Sequence, residues 1–455
     1  MTGVLIRGAE VEGRVVDVRV RGEVVAGLGD LRPEPGEREL DARGGALLPG
    51  LHDHHLHLLS LAAAAASVRC GPPEVTDLDG LARALRAAPG CRVRGIGYHE
   101  SVAGVPDRRM LDSLVADRPV RLQHRGGALW VLNTPALTEL GLLAEFPDGR
   151  LWRADARLRD RPGDPPDLAA VGRLLASFGV TGVTDATPNL SPDTVGLLTR
   201  ADLPQRLHLL GAPRDAPVRA GVTIGPHKIL PADHEPPDWD ALRREIAGAH
   251  KSGRPVAVHA VTRESLVITL SVLAETGTLP GDRIEHGALI GRDTIPLLAG
   301  LGLVVVTQPG FVIERRDQYR RDVPAADHAD LYRYASLIEA GVPVAPSSDA
   351  PFASPDPWSV IAAAIRRDLT PGERVPARTV LDGLLAPLTD PGGPPRRVVA
   401  GAPADLCLLH VPLARALSAP DARQVAATIC AGVVAYRSGL STRDTDHGAG
   451  GDGID

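Results

Sequence analysis

Short apolar runs alternate with helix-like segments over most of this 455-residue chain. Such alternation predicts parallel strands joined by helices, and eight is the number of strands with which a sheet of this kind closes on itself. We therefore expect an α/β fold, specifically a (β/α)8 TIM-type barrel over residues 46–394. The eight strand-like runs are residues 46–57, 179–185, 206–211, 225–230, 255–260, 283–287, 303–308 and 343–349.

The two ends of the chain carry shorter β-like runs outside this pattern. Residues 16–20 alternate apolar and polar side chains with period two, and residues 404–436 contain strand-like runs joined by turns. We expect residues 1–45 and 395–440 to form one small β-sandwich domain together. The tail, residues 441–455, is rich in Gly and Asp and is expected to be disordered.

One connection of the predicted barrel is far too long to be a single loop and helix. It runs from about residue 58 to 178 and contains strand-like pieces of its own at 93–97 and 120–124. We expect this insertion, which follows the first strand, to lie over the functional site.

Composition limits the class of protein. Hydrophobic residues make up 44% and charged residues 23%, and the net charge is -6, with no dominant basic stretch. These values predict a folded core and exclude the basic surface of a nucleic-acid binder. No run approaches the roughly 20 apolar residues of a membrane span, and the N-terminus lacks a signal-like apolar run. The expected partner is a small-molecule substrate, with no nucleic acid and no membrane, and a homodimer stays open.

Four widely spaced cysteines form neither a CxxC pair nor a dense disulfide pattern. They are Cys70, Cys91, Cys407 and Cys430. A cytoplasmic location is therefore expected.

The first predicted strand ends in a histidine cluster, His-Asp-His-His-Leu-His over residues 52–57. Side chains two residues apart on a strand point to the same side, so His55 and His57 can reach one cation. Four histidines in six residues are costly in a buried strand without a ligand. The alternative is that they are solvated or capping residues.

Four further chemical groups lie at predicted strand ends: Lys228, His259, His286 and Asp349. Each has an ordinary structural explanation, respectively a lysine reaching solvent, two hydrogen-bonded core histidines and a turn aspartate. The carboxyl ends of barrel strands are, however, where barrel enzymes place their catalytic groups. Six such residues at strand ends, His55 and His57 included, favour a metal-dependent active site.

At these residues the sequence resembles the amidohydrolase superfamily, in particular the amidohydrolase-3 group with its YtcJ-like proteins and N-substituted formamide deformylases. The resemblance implies one or two divalent cations, zinc above all. It also implies that CO2 converts Lys228 to a carbamate between the two ions. One ion would bind His55, His57 and Asp349, and the other His259 and His286. The segments that carry the resemblance are residues 49–57, Lys228, Val258-His-Ala, Glu285-His-Gly, Gln308-Pro, Ser348-Asp-Ala-Pro and 401–406.

The expected reaction is hydrolysis of an amide-like C–N bond by a metal-activated water, with Asp349 as the catalytic general base and acid. Arg125 is the most suggestive substrate contact, because a guanidinium suits a carboxylate. It stands in residues 123–130, where related proteins often carry Asp-Gly-His instead. A solvated Arg125 and core-packing roles for the aromatic residues are the alternatives. The candidates for substrate contact are Tyr98, His99, Glu100, Arg125, Trp130, Gln308, Arg315 and Arg316.

Two other functions fit the same scaffold. A metal-dependent deaminase would use the same general acid and base catalysis. A catalytically inactive relative could instead serve as an interaction protein. All six candidate ligand positions are filled, which favours an enzyme. The substrate stays open among formamides, N-acyl amino acids, cyclic imides and urea-like compounds.

Overall fold

The computed structural model describes residues 3–154, 156–159, 166–232 and 235–439, so the tail predicted to be disordered, residues 441–455, lies outside the described residues. The chain divides into two compact units. The first comprises Met1–Leu56, Gly172–Asp349 and Ala353–Asp455, and the second His57–Val171 and Ala350–Phe352. Within the described ranges, no helix has both the length and the apolar character needed to span a bilayer. The four cysteines, all described, are free.

The strands are numbered in chain order. They are β1 Val4–Val11, β2 Arg14–Arg21, β3 Val24–Gly29, β4 Arg38–Asp41, β5 Leu47–Pro49, β6 Leu51–Leu56, β7 Val68–Arg69, β8 Val93–Tyr98, β9 Val120–His124, β10 Leu129–Leu132, β11 Arg150–Trp152, β12 Val180–Asp185, β13 Arg206–Leu209, β14 Val222–Ile224, β15 His227–Ile229, β16 Val256–Ala260, β17 Arg283–His286, β18 Val304–Thr307, β19 Val344–Pro346, β20 Leu406–Leu409, β21 Val425–Cys430 and β22 Val433–Arg437.

The α-helices are numbered in the same way. They are α1 Leu58–Ala65, α2 Leu78–Ala87, α3 Glu100–Ala103, α4 Arg108–Leu114, α5 Thr134–Leu140, α6 Ala156–Arg159, α7 Leu168–Ser177, α8 Pro192–Arg200, α9 Trp239–Lys251, α10 Arg263–Thr276, α11 Ile295–Gly300, α12 Pro309–Glu314, α13 Arg316–Asp322, α14 Ala335–Glu339, α15 Pro357–Arg366, α16 Ala377–Leu384 and α17 Leu413–Ser418. Short 3-10 helices lie at Ala325–Asp330, Pro371–Glu373 and Ala422–Gln424.

Two parallel sheets with intervening helices dominate the first unit, which confirms the predicted α/β class. One has the strand order β14-β13-β12-β6 and the other β15-β16-β17-β18-β19. Each of the eight predicted runs contains a strand. The run 225–230 differs, because the structure has β14 and β15 on either side of Gly225 and Pro226, each pairing with a different sheet. Proline has no N–H for the ladder, which explains the interruption.

Two four-stranded sheets of the first unit are built from the chain ends. Their orders are β3-β2-β1-β4 and β22-β21-β20-β5. Residues from both sheets share one hydrophobic cluster, including Ile6, Val18, Leu47, Leu406 and Ile429. Burial of this apolar surface, at about 25 cal/mol per Å2, holds the two sheets together.

The second unit is built on a five-stranded sheet of order β11-β10-β9-β8-β7. Its strands β8 and β9 coincide with the predicted pieces at 93–97 and 120–124. The strands bury Val93 and Leu122 in one cluster with Leu85 of α2 and Leu111 of α4. One face of this sheet is therefore the core of the second unit.

Candidate metal centre

Strand β6 separates its histidines onto two sides. The His52 Nδ1 atom hydrogen-bonds the Ala386 carbonyl at 2.9 Å, and the His54 Nε2 atom hydrogen-bonds the Gly383 carbonyl at 3.1 Å. Burial lowers the pKa of His54 to about 3, so this imidazole is neutral. These two histidines attach β6 to the end of helix α16, and the opposite side of the strand carries His55.

His55 is held in the protonation state that a metal requires. Its Nδ1 atom donates a hydrogen bond to Glu285 Oε2, and its Nε2 atom lies 3.5 Å from Asp349 Oδ1. Burial lowers the pKa of His55 to about 4, so the ring is neutral at pH 7. A carboxylate on one ring nitrogen fixes the tautomer and leaves the other nitrogen for a cation.

His286 ends β17 and Asp349 follows β19, the two parallel strands on either side of β18. His286 Nδ1 lies 3.8 Å from Asp349 Oδ2, and the rings of His286 and His55 are 4.7 Å apart. Both residues have left-handed backbones, with φ of 72° at His286 and 56° at Asp349. Non-glycine residues adopt this conformation at a cost, which the surrounding structure must support, and such residues cluster at functional sites.

His55, His286 and Asp349 form one buried cluster. Each offers a ligand atom, and these atoms all lie within 4.8 Å of one another. Two neutral imidazoles and a carboxylate are a donor set that zinc accepts. The three residues therefore fit a divalent cation.

Lys228 is buried in β15, with 3% of its surface exposed. Its Nζ atom has no hydrogen-bond partner among the described residues. Burial lowers the pKa of Lys228 to about 8, against the attraction of Glu285 and Asp349. Only two of the 50 Lys and Arg residues of the chain are lysines, Lys228 and Lys251. A buried amine that loses its proton easily thus stands at position 228 of a chain that uses arginine at most of its cationic positions.

The two remaining candidate ligands, His57 and His259, are not members of the three-residue cluster. His259 pairs in register with Glu285, and its ring is 4.5 Å from that of His286. His57 belongs to the second unit, where its backbone N–H donates to Ala350 O at 2.9 Å and its ring is 5.7 Å from that of Phe352.

Two carboxylates that support the site, those of Glu285 and Asp53, were not among the residues predicted from the sequence. Besides the bond from His55, Glu285 accepts a hydrogen bond from Arg283 Nε at 2.6 Å, and both side chains are buried. Asp53 accepts bonds from the hydroxyl of Ser348 at 2.5 Å and from its backbone N–H at 3.1 Å. In the sequence, each of these two acidic residues is next to a histidine in an otherwise buried strand, and this pattern could have identified them.

Gln308 has a different environment from the expected substrate contact. It is fully buried, and its Oε1 atom accepts a hydrogen bond from His286 Nδ1 at 2.9 Å. Its Nε2 atom donates to Ser347 Oγ at 3.0 Å. The amide therefore orients the His286 ring.

Replacing Gln308 with Leu should weaken metal binding about 10- to 100-fold, because His286 would lose the group that fixes its ring. Titration against a competing chelator measures this affinity. Gln318→Leu, on helix α13, is the matched control and should bind metal as the native chain does. A raised KM with unchanged metal affinity would instead make Gln308 a substrate contact.

The other candidates for substrate contact occupy varied environments. Tyr98 is buried and its hydroxyl donates to Gly104 O at 2.7 Å. His99 caps helix α3, and Glu100 Oε2 accepts a hydrogen bond from His124 Nε2 at 2.8 Å. The remaining placements are Arg125 and Trp130 lining a cavity of the second unit, Arg315 with its guanidinium 3.9 Å from the Phe311 ring centroid, and Arg316 in an ion pair with Asp368.

Comparison with known proteins gives consistent results. Residues 38–436 match the model of the Amidohydrolase family. The chain is 24% identical to the N-substituted formamide deformylase of Arthrobacter pascens, in an alignment that covers 81% of each protein. A structure of an uncharacterized metal-dependent hydrolase from Pyrococcus horikoshii OT3 is similar, with a TM-score of 0.72, 19% identity and coverage of 90% of this chain and 97% of that chain. The structure of atrazine chlorohydrolase TrzN from Arthrobacter aurescens TC1 complexed with zinc is also similar. Its TM-score is 0.56 at 15% identity, with coverage of 96% of this chain and 97% of that chain.

Proposed function

Because the chain belongs to the amidohydrolase family, and is thus a metal-dependent hydrolase acting on carbon–nitrogen bonds, we propose that it cleaves an amide-like bond in a small molecule. The observation that carries this proposal is the buried cluster of His55, His286 and Asp349 with the buried amine of Lys228 nearby in the same unit. The name of the deformylase relative favours a formamide or another N-acyl compound as substrate.

We propose further that the parallel strands close a (β/α)8 barrel spanning residues 46–394, with the insertion 58–178 after its first strand. Two features support closure. Strands β14 and β15 follow each other across Gly225 and Pro226, and the Asp349 N–H donates to His55 O at 2.8 Å beside β6. In this proposal the paired end sheets form the small β-sandwich, from residues 1–45 and 395–440.

The proposed metal is zinc, with two ions per chain. His55, His57 and Asp349 would hold one ion, and His259 and His286 the other. The zinc in the TrzN structure supports this choice. When bound, a divalent cation lowers the pKa of a water molecule and polarises the substrate carbonyl.

Lys228 would supply an oxygen ligand between the two ions. Its neutral amine attacks the carbon of CO2, forms an N–C bond and loses one proton, which leaves a carbamate anion. Burial favours this reaction, because it lowers the pKa of Lys228 to about 8 and so raises the fraction of neutral amine.

Asp349 is the proposed catalytic base and acid. Its carboxylate would accept a proton from the attacking water and deliver it to the leaving nitrogen, which departs as a neutral amine. Glu285 and Gln308 would keep His55 and His286 oriented during this transfer. The proximity of Asp349 to both histidines and its constrained backbone support this role.

Removing the metal should lower turnover by at least about a hundredfold, since metal-assisted charge stabilisation contributes several kcal/mol. The test dialyses the protein against a chelator, then restores zinc with bicarbonate and follows cleavage of formamides, N-acyl amino acids, cyclic imides and ring amines. Zinc should restore amide cleavage and raise the unfolding temperature, because it binds the folded state. Ammonia release from ring amines without cleavage of any amide would contradict the proposal and indicate a deaminase.

A further inference from the structure

A cavity of the first unit lies at the amino ends of three parallel strands. Its volume is about 400 Å3, which lies in the range of small-molecule sites. Pro255 precedes β16, Arg283 begins β17 and Val304 begins β18, and all three residues line the cavity. The candidate ligands His259 and His286 lie towards the carboxyl ends of β16 and β17. The cavity and the metal centre are therefore at opposite ends of the same strands.

Three arginines of the lining give the cavity positive charge: Arg214, Arg254 and Arg283. Burial and the nearby charge of Arg214 lower the pKa of Arg254. Burial lowers the pKa of His208, which also lines the cavity, to about 3, and the charges of Arg283 and Arg254 contribute to this shift. The lining also contains the exposed residue Asp390. The positive potentials of the arginines thus overlap at one cavity.

Arg254 has a structural role in this lining. Its Nε atom donates to Gly225 O at 2.9 Å, and its Nη2 atom donates to Leu210 O at 2.8 Å. These carbonyls lie where the chain passes from β14 to β15 and from one parallel sheet to the other. Arg254 therefore joins the two sheets, and its N–H groups are engaged by the fold itself.

Arg283 differs from Arg254, because most of its hydrogen-bonding capacity is unused. Its side chain is buried, and its Nε atom donates to Glu285 Oε1 at 2.6 Å. The Nη1 and Nη2 atoms carry all the other N–H groups and have no hydrogen-bond partner in the part of the chain that the structure describes. Buried donors without a partner are costly. Guanidinium groups present such donors in pairs that match the oxygens of carboxylates and phosphates.

We propose that this cavity is an effector site for a small dianion, either a dicarboxylate or a phosphate, and that Arg283 connects it to the metal centre. A doubly charged ligand suits a lining with three arginines. Because both Nη atoms are shielded from solvent, an anion reaches them only if the Arg283 side chain shifts. This shift alters the hydrogen bond to Glu285, which in turn accepts the hydrogen bond from His55. Anion binding should therefore change the metal affinity.

Calorimetry on the metal-free full-length chain tests the site without catalysis. Succinate and inorganic phosphate are the two probes, and succinamide is the neutral analogue of succinate. At least one anion should bind at least about tenfold more tightly than succinamide. Tighter binding of succinate identifies a dicarboxylate site, and tighter binding of phosphate identifies a phosphate site. Equal binding of all three compounds, or binding of none, would refute the proposal.

Thr389 offers a matched pair of variants that locates the anion, because it lines the cavity at an exposed position. Thr389→Glu adds a carboxylate to the lining and should weaken anion binding at least about tenfold, whereas the similarly shaped Thr389→Gln should retain it. Arg214→Gln should also weaken binding, and Arg244→Gln, at an exposed position of α9 outside the lining, should not. Equal anion affinity in Thr389→Glu and Thr389→Gln would exclude this cavity as the site.

Zinc affinity distinguishes an effector site from a buried structural arginine. Saturating anion should change the zinc dissociation constant at least about threefold, and zinc should change the anion affinity by the same factor. Thr389→Glu, measured in the same buffers, accounts for zinc bound by free anion and should show no further change. Anion binding with an unchanged zinc constant would overturn the effector role.

Arg283→Lys keeps the positive charge but loses the paired donors, so it should bind the anion at least about tenfold more weakly. A lower unfolding temperature with unchanged anion affinity would make Arg283 a structural residue and overturn the proposal. The Thr389 pair provides the same decision if Arg283→Lys does not fold. These measurements are independent of the proposed amide hydrolysis, because calorimetry detects the anion whether or not any amide is cleaved.

Discussion

The Asp349→Asn variant should lose between about 10² and 10⁴ in kcat, the range that general acid and base catalysis contributes. Asparagine has the same shape as aspartate but cannot accept and return a proton at neutral pH. Its side-chain oxygen still faces His55 and His286, so much of the metal should remain. Metal content by mass spectrometry and kcat on the reconstituted enzyme are the two measurements.

The choice of asparagine also protects the backbone. Asp349 has a φ of 56°, and Asn tolerates this left-handed conformation better than most other residues. The hydrogen bond from its N–H to His55 O should therefore persist. Asp317→Asn on helix α13 is the control for the charge change, because that side chain is 75% exposed and should not affect kcat. Unchanged turnover in Asp349→Asn would exclude it as the base.

The α/β class and the strand positions followed from the sequence for a physical reason. Parallel strands covered on both faces read as continuous apolar runs, so the eight runs stand out between amphipathic segments. The exception, at Gly225 and Pro226, is a break in hydrogen bonding that an apolar run does not reveal. Family membership was likewise predictable, since the resemblance found in the residues is confirmed by the match over residues 38–436.

The supporting groups of the site were harder to predict. His55 and Glu285 are 230 positions apart, and their hydrogen bond depends on which side chains converge in the folded unit. Gln308 was expected to contact substrate, yet its buried amide hydrogen-bonds His286. Arg94 and Arg121 likewise become neighbours only through the pairing of β8 with β9.

The scarcity of lysine in the sequence is the observation that most strongly supports a chemical role for Lys228. A chain with 48 arginines could have placed a guanidinium at position 228 if only a positive charge were needed. Arginine stays protonated and cannot form a carbamate with CO2, whereas a buried lysine with a pKa of about 8 can lose its proton. The residue type at position 228 thus argues for chemistry at its nitrogen.

Replacing Lys228 with Met should remove at least half of the bound metal and lower kcat about a hundredfold or more, because the proposed carbamate ligand could no longer form. Methionine has a similar length and suits a buried position. Lys251→Met, at the exposed end of helix α9, is the matched control on the only other lysine and should keep full metal and activity. Reconstitution of the native protein in CO2-free buffer should mimic the variant, and bicarbonate should reverse the loss only in the native protein.

The same variant should stabilise the protein when metal and CO2 are both absent. Burial lowers the pKa of Lys228 from 10.5 to about 8, so the folded state disfavours the charged amine by about 3 kcal/mol at pH 7. This penalty is complete below pH 8 and disappears as the pH rises towards 10.5, where the unfolded chain also loses the proton. Denaturant unfolding of metal-free Lys228→Met should therefore show a gain near pH 7 that is lost near pH 10.5. Suppose that Lys228→Met is less stable than the native protein at pH 7 and retains its metal, and that reconstitution of the native protein does not depend on CO2. Lys228 would then be a structural residue and not a carbamate precursor.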